Sequence, residues 1–372
     1  MLRLGVGRRT SREGHVSGRG GRGGARPRHQ KALGSNKIMK KPRAAALIDR
    51  TMEAQCFTAE ALERIAAVTE FRRATFDAMT AERLTTAIRG AQIAITGWGT
   101  GAITDVMLDA APDLKLVAHA AGSIKHLVSD KLMARNVRVC SAVWANGRSV
   151  AEFAFGMMLV TTKAVWKCRA AMPEKLWPQD EARVWMREPF GATVGIVGAG
   201  VIGREMIRLC QMLELAALLI YDPYLTEEEA EDLGVVQVGL DELMRRSDVV
   251  SLHTPATEEA RHIINAGNLA LLKDGAVFIN TARGMCVDED ALIAELESGR
   301  ITACLDVTNP EPPAKDSPLY TLPNCILTPH IAGSMNQNCL RHGDLVADAI
   351  EAYVAGRPLP WEVDLTQLDR MA

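Results

Sequence analysis

The residues that most constrain this chain are Thr193-Val194-Gly195-Ile196-Val197-Gly198-Ala199-Gly200-Val201-Ile202-Gly203. Three glycines at this spacing, directly behind an apolar run and ahead of an amphipathic stretch, require a strand, a tight turn and a helix; the helix is predicted over Arg204–Leu213. Gly198 permits the turn, Gly200 lets backbone approach a pyrophosphate, and Gly203 permits close helix–strand packing. Val201 and Ile202 then stand with the phosphates at the helix N-terminus. A bare glycine pattern is weak evidence, and the strand before it and helix after it supply the specificity. The next predicted strand, Leu218–Tyr221, ends at Asp222, whose carboxylate would accept hydrogen bonds from adenosine ribose hydroxyls and repel a 2′-phosphate. Pro223-Tyr224-Leu225 follow without Arg or Lys, which points to NAD rather than NADP. The competing reading is that Asp222 only starts the turn before Pro223.

From residue 44 onward, short apolar runs alternate with amphipathic stretches, the pattern of parallel β-α-β units. Strands are predicted at Ala44–Ile48, Ile93–Thr96, Leu116–His119 and Val137–Cys140, with helices at Ala59–Val68 and Thr80–Arg89. A long apolar helix over Val150–Trp166 leads through a Trp-rich stretch (Trp177, Trp185) to a second series starting at Thr193. The predicted helix Cys339–Tyr353 returns to the first lobe. The expected fold is α/β, with two Rossmann-like, doubly wound lobes of parallel sheet and a cleft between them. Residues 44–145 plus 334–360 form a substrate domain, 146–333 a NAD-binding domain, and 1–43 a basic tail.

The net charge of −2 conceals an asymmetry. The first 43 residues hold 13 Lys or Arg and one acid, leaving 30 basic and 44 acidic residues, a net −14, in a body that would repel nucleic acid. The Gly/Arg-rich residues 1–37 lack the aliphatic side chains needed to offset ordering entropy and are expected to be disordered. They could be a nucleic-acid arm, a targeting segment, or translated upstream or added sequence. The last is favoured because Met39-Lys40-Lys41-Pro42 leads straight into the first strand. No apolar run is long enough to cross a bilayer. The eight cysteines are scattered without Cys-x-x-Cys pairs, so reduced thiols, a cytoplasmic location and no metal site are expected.

Asn280-Thr281-Ala282-Arg283-Gly284, Leu305-Asp306-Val307 with Pro310-Glu311-Pro312, and Thr328-Pro329-His330-Ile331-Ala332-Gly333 carry chemistry that can be read residue by residue. Reducing a 2-keto acid needs a cation for the carboxylate and carbonyl, and a proton donor for the alkoxide formed as hydride arrives. Arg283 offers the planar fork for the first task. His330 suits the second, and Glu311 would orient its ring and stabilise the imidazolium. These segments, with Val150-Ala151-Glu152 and Leu252-His253-Thr254-Pro255-Ala256-Thr257, resemble the D-specific 2-hydroxyacid dehydrogenase family over roughly residues 90 to 356. The resemblance implies a hydride transfer between NAD and C2 of a small 2-hydroxy or 2-keto acid, with Arg283, Glu311 and His330 catalytic. It implies further that Asp306 faces the nicotinamide end. His253, Pro255, Thr281, Ala282 and Gly333 would line the cofactor cleft, with Arg283 and His330 at its inner end. His119 and His126 lie outside these segments and are read as local structure.

One segment departs from the family. Where many members have Gly-Val-Gly-x-Asp, this chain has Ala120-Ala121-Gly122-Ser123-Ile124-Lys125-His126, with Lys125 or His126 at the aspartate position. Backbone capture of the substrate carboxylate by Gly122 and Ser123 survives, whereas the substrate's identity is left open. Trp98 sits where another loop nears the substrate, and both walling the substrate and plain packing are open to it. With about 15 residues after the last helix, no regulatory C-terminal domain is expected. Glu311, where formate dehydrogenases have Gln, argues against that activity. A homodimer is expected through the segment 166–185, whose large apolar side chains would be a liability on a monomer. The rival from another class is an NAD(H)-sensing, corepressor-like binding protein of the same fold.

Overall fold

The computed structural model describes residues 40–172, 177 and 179–371. The basic tail through residue 39, and part of the segment expected to mediate dimerisation (173–176 and 178), lie outside the described residues.

The first sheet is built from β1 (Arg43–Ala46), β2 (Glu70–Arg72), β3 (Ile93–Thr96), β4 (Leu116–His119) and β5 (Arg138–Ser141), all parallel in the order β2-β1-β3-β4-β5. The second comprises β6 (Thr193–Val197), β7 (Ala217–Tyr221), β8 (Val236–Gln237), β9 (Val249–Leu252), β10 (Val277–Asn280), β11 (Thr302–Leu305) and β12 (Cys325–Leu327). It is again parallel, ordered β12-β11-β10-β9-β6-β7-β8. Helices cover both faces, which is why β3, β4, β9 and β10 are buried at every position and read as continuous apolar runs rather than alternations. The strand order reverses between β1 and β3 and between β6 and β9. In doubly wound sheets ligands bind at such points, beyond the strands' carboxyl ends.

Local chemistry starts the helices where the sequence places them. Thr58 caps Ala59–Val68 by accepting from the Ala61 N–H, and Thr80 caps Ala81–Ile88 through Arg83. The returning helix spans Leu340–Val354, one residue later than predicted, because the turn Asn336–Cys339 ahead of it is 3₁₀. It packs Val346, Ala347 and Ile350 into the core cluster of the first sheet with Ile65 and Leu62, and Arg64 bonds Glu351 at 2.8 Å. Gly343 permits this approach, since a Cβ there would lie 2.3 Å from the Cys56 carbonyl.

Two predicted helices sit elsewhere. The long helix is Val143–Thr162, not Val150–Trp166. Trp144, Asn146 and Gly147 are weak helix formers, and tertiary packing overrides them. Gly147 in particular lets Val201 and Ile202 reach within 3.0 and 3.4 Å of where its Cβ would stand. At the other end Ala164 turns left-handed (φ 53°), and a separate helix runs Val165–Ala171. The helix after the glycine turn is Val201–Cys210, beginning three residues before the predicted Arg204, because Gly200 is its N-cap. The short strands β2 and β8 carry too few residues for any periodicity to announce them. Among the described residues no helix is long and apolar enough to cross a membrane, and all eight cysteines are free. Burial holds the thiols of Cys56, Cys140, Cys210 and Cys325 up to about 12 and that of Cys304 to about 11, so they stay protonated near neutrality.

Candidate active site

The loops after β6, β9, β10, β11 and β12 gather at one edge of the second sheet. Gly198 has φ 102°, and a Cβ there would lie 2.7 Å from the His253 carbonyl; one on Gly203 would lie 1.9 Å from the Gly198 carbonyl. Both positions therefore demand glycine. Arg204 Nε donates to the Ala199 carbonyl at 2.8 Å and braces the turn. Asp222 accepts from Ala199 N (2.7 Å) through Oδ2 and from Tyr224 N (2.8 Å) through Oδ1. It thus makes the local turn and ties β7 to the glycine loop, while each oxygen keeps a lone pair for a ribose hydroxyl.

Facing this loop, His253 Nδ1, Thr254 Oγ1 and Thr281 Oγ1 are buried without a protein hydrogen-bond partner among the described residues. Leaving three such groups bare is costly, and their clustering beside the glycine cradle fits a bound dinucleotide with its own donors and acceptors. The His253 ring bonds Ser251 Oγ at 2.9 Å through Nε2, and burial lowers its pKa to about 3, so it stays neutral. Pro255 accepts from Cys286 Sγ at 3.6 Å, which pins the loop after β9 against the one after β10.

Arg283 projects from the turn after β10. Asn280 shapes this turn, accepting from Ala282 N at 3.0 Å and donating to the Arg283 carbonyl at 3.1 Å. Arg283 Nη1 donates to the Ala282 carbonyl at 2.6 Å, leaving the rest of the guanidinium available. Gly284 is forced, since a Cβ there would stand 2.0 Å from Thr308 backbone atoms; this contact joins the Arg283 turn to the one leading to Glu311. Glu311 Oε1 accepts from His330 Nδ1 at 2.6 Å, both side chains being about half exposed (42% and 48%). With Nδ1 so engaged, Nε2 is presented outward. His330 is left-handed (φ 55°), a conformation uncommon outside glycine, and its N–H donates to the Asp306 carbonyl at 3.0 Å.

The Asp306 carboxylate is 2% exposed. It accepts from Thr328 Oγ1 (2.6 Å), Ile331 N (2.9 Å) and Ala332 N (2.8 Å). It therefore organises the loop that carries His330, a bracing part that motif spacing alone does not reveal.

On the first lobe, Ser141 Oγ lies against the Ala121 (3.0 Å) and Gly122 (2.6 Å) carbonyls and holds the loop after β4. Within the described residues no hydrogen bond takes the Gly122 or Ser123 N–H. Trp98, 40% exposed after β3, packs its ring 4.9 Å from that of His342. His342 is fully buried, bonds the Ala120 carbonyl through Nδ1 at 3.1 Å, and is pushed down to about 4 chiefly by burial. Asn146 was not singled out from sequence. Its Oδ1 accepts from Ser334 N at 2.8 Å and its Nδ2 lies 3.9 Å from where a Gly122 Cβ would stand, so it links the substrate-side loop to Gly333-Ser334. Lacking a motif of its own, Asn146 gave no signal except its place four residues before Val150-Ala151-Glu152.

The comparisons with known proteins bear on this assembly. Residues 155–332 match the family described as D-isomer specific 2-hydroxyacid dehydrogenase, NAD binding domain. A hydroxypyruvate reductase from Thermotoga maritima is 35% identical over 62% of this chain and 75% of its own length. The chain belongs to the D-isomer specific 2-hydroxyacid dehydrogenase family. Another member, a D-3-phosphoglycerate dehydrogenase from Archaeoglobus fulgidus, is 34% identical over 71% of this chain but only 50% of its own length. The chain spans about half the length of the phosphoglycerate dehydrogenases it matches first. Among solved structures of the fold, a D-lactate dehydrogenase from Aquifex aeolicus, complexed with NAD and lactic acid, superimposes with a TM-score of 0.63 at 26% identity, covering 84% of this chain and 96% of that one. The dehydrogenase family thus accounts for the glycine cradle and the two parallel sheets, and NAD is the cofactor of its matched domain.

Proposed function

We propose that this protein is an NAD-dependent D-2-hydroxyacid dehydrogenase that reduces a small 2-keto acid, or oxidises the corresponding 2-hydroxy acid. The observation that carries the reading is the His330–Glu311 pair at 2.6 Å beside the Arg283 turn, with the unsatisfied His253, Thr254 and Thr281 atoms facing the glycine loop. Bound NADH would supply the hydride. The N–H groups of Val201, Ile202 and Gly203 at the helix start would hold its pyrophosphate, and Asp222 its adenosine ribose. Arg283 would clamp the keto acid's carboxylate and polarise its carbonyl. The Gly122 and Ser123 N–H groups would hold the carboxylate from the other side. His330 Nε2–H would donate the proton to the nascent alkoxide while Glu311 stabilises the ring's charge.

The expected setting is cytoplasmic, in keeping with eight free thiols. A homodimer is supported by exposed Trp166, Trp177, Val184 and Phe190, the first and last two beside a cavity of about 790 Å³ at the edge of the second sheet opposite the glycine loop. Following NADH oxidation with a panel of 2-keto acids (pyruvate, hydroxypyruvate, glyoxylate, phenylpyruvate) tests the activity. Turnover of none of them by protein that binds NADH would favour the NAD(H)-sensing alternative.

A further inference from the structure

After helix 340–354 the chain runs back along the first sheet. Arg138 meets Glu362 in a fork, both contacts 2.6 Å, and Val363 N donates to the Val139 carbonyl at 2.8 Å. Trp361 stacks on Trp144 at 5.3 Å, and Val363, Leu365 and Leu368 pack onto a core cluster of that sheet. The segment Leu365–Arg370, capped by Asp364, then carries Arg370 across to the second lobe. There its guanidinium lies 4.3 Å over the ring of Tyr224.

Tyr224 belongs to the ribose turn, its own N–H bonding Asp222 Oδ1 at 2.8 Å. Among the described residues Arg370 has no carboxylate within ion-pair distance. Arg204, the other cation near this turn, is held by Glu229 at 3.0 Å and by the Ala199 carbonyl at 2.8 Å. An exposed cation–π contact is by itself a weak reason to hold a guanidinium here. A planar fork standing beside a ribose site is suited to a phosphate.

We propose that Arg370 is a cofactor-specificity residue. It takes a 2′-phosphate on the adenosine ribose, so that the protein binds NADP(H) as well as NAD(H), although Asp222 favours the latter. The proposal rests on the reading of residues 198–222 as a dinucleotide site. Folding delivers this cation to the ribose turn from a segment distant in the sequence.

The test is to measure NADH and NADPH dissociation constants by quenching of tryptophan fluorescence in the full chain, R370A and R370K, at low and high salt. The ratio of the NADPH to the NADH constant should rise about tenfold in R370A and stay within about threefold of wild type in R370K. NADPH binding should also weaken more with salt than NADH binding. A role limited to tying the two lobes together would move both cofactors alike, so an unchanged ratio in R370A overturns the proposal, as does a wild type that binds NADH but no NADPH. Failure of wild type to bind NADH would instead remove the dinucleotide reading on which the proposal stands.

Discussion

His330, Glu311 and Arg283 are assigned separate jobs, and substitution separates them. His330→Gln keeps similar size but loses the proton donor, so turnover should fall by about 10² to 10⁴-fold while NADH affinity is retained. Stopped-flow reduction at saturating substrate checks it, and full turnover would remove His330 from the mechanism. Arg283→Lys keeps the charge but loses the fork, so the keto acid KM should rise as kcat falls. Glu311 sits 2.6 Å from the ring. Glu311→Gln keeps the size but loses the carboxylate that accepts from Nδ1, so kcat should fall about tenfold or more while the NADH dissociation constant is retained. A folded variant with full turnover would count against the pairing.

Where elements meet, single atoms govern several loops. Asn146 lies on helix 143–162, yet its amide serves Ser334 N and approaches Gly122. Asn146→Ala should raise the keto acid KM about tenfold, more than it raises the NADH dissociation constant, since Gly122 belongs to the substrate-side loop and Ser334 only follows the cofactor-side Gly333. Equal losses in both constants would show a general packing defect instead. Gly284 is the other junction. A methyl group there meets Thr308 backbone at 2.0 Å, so Gly284→Ala should destabilise the protein by about 1–3 kcal/mol in urea unfolding and reduce turnover together.

Across the whole molecule, three buried histidines contribute to the loss of stability in acid. His119 is lowered to about 3 by burial and then by the charges of His126 and His342, His253 to about 3 by burial, and His342 to about 4 chiefly by burial. Each folded value lies below the unfolded one near 6.5, so the unfolded chain binds more protons as pH falls. Their contribution is whole above about pH 6.5 and is lost progressively on acidification toward about pH 3. One such group gives a slope of about 1.4 kcal/mol per pH unit, and three together at most about 4. Urea unfolding at pH 7.5, 6.5 and 5.5 should show this decline, with His342→Met shallower than wild type. A flat profile would mean that these rings gain protons in the folded state.

The α/β alternation, the glycine turn and the Arg283, Glu311 and His330 segments were legible in the sequence because each depends on nearby residues: apolar runs that must be covered, glycines that tolerate close backbone, and polar groups at strand ends. Helix Ala59–Val68 and strand Leu116–His119 fall where their patterns put them. What the sequence could not show involves partners distant along the chain. Helix 143–162 begins early because Gly147 admits Val201 and Ile202, Asp306 turns into the His330 loop to satisfy three donors, and Asn146 reaches Ser334. Arg370 comes to Tyr224 only because Val363, Leu365 and Leu368 find burial on the first sheet. Hydrogen bonding and burial act through space, so only the tertiary structure decides which remote groups share a site.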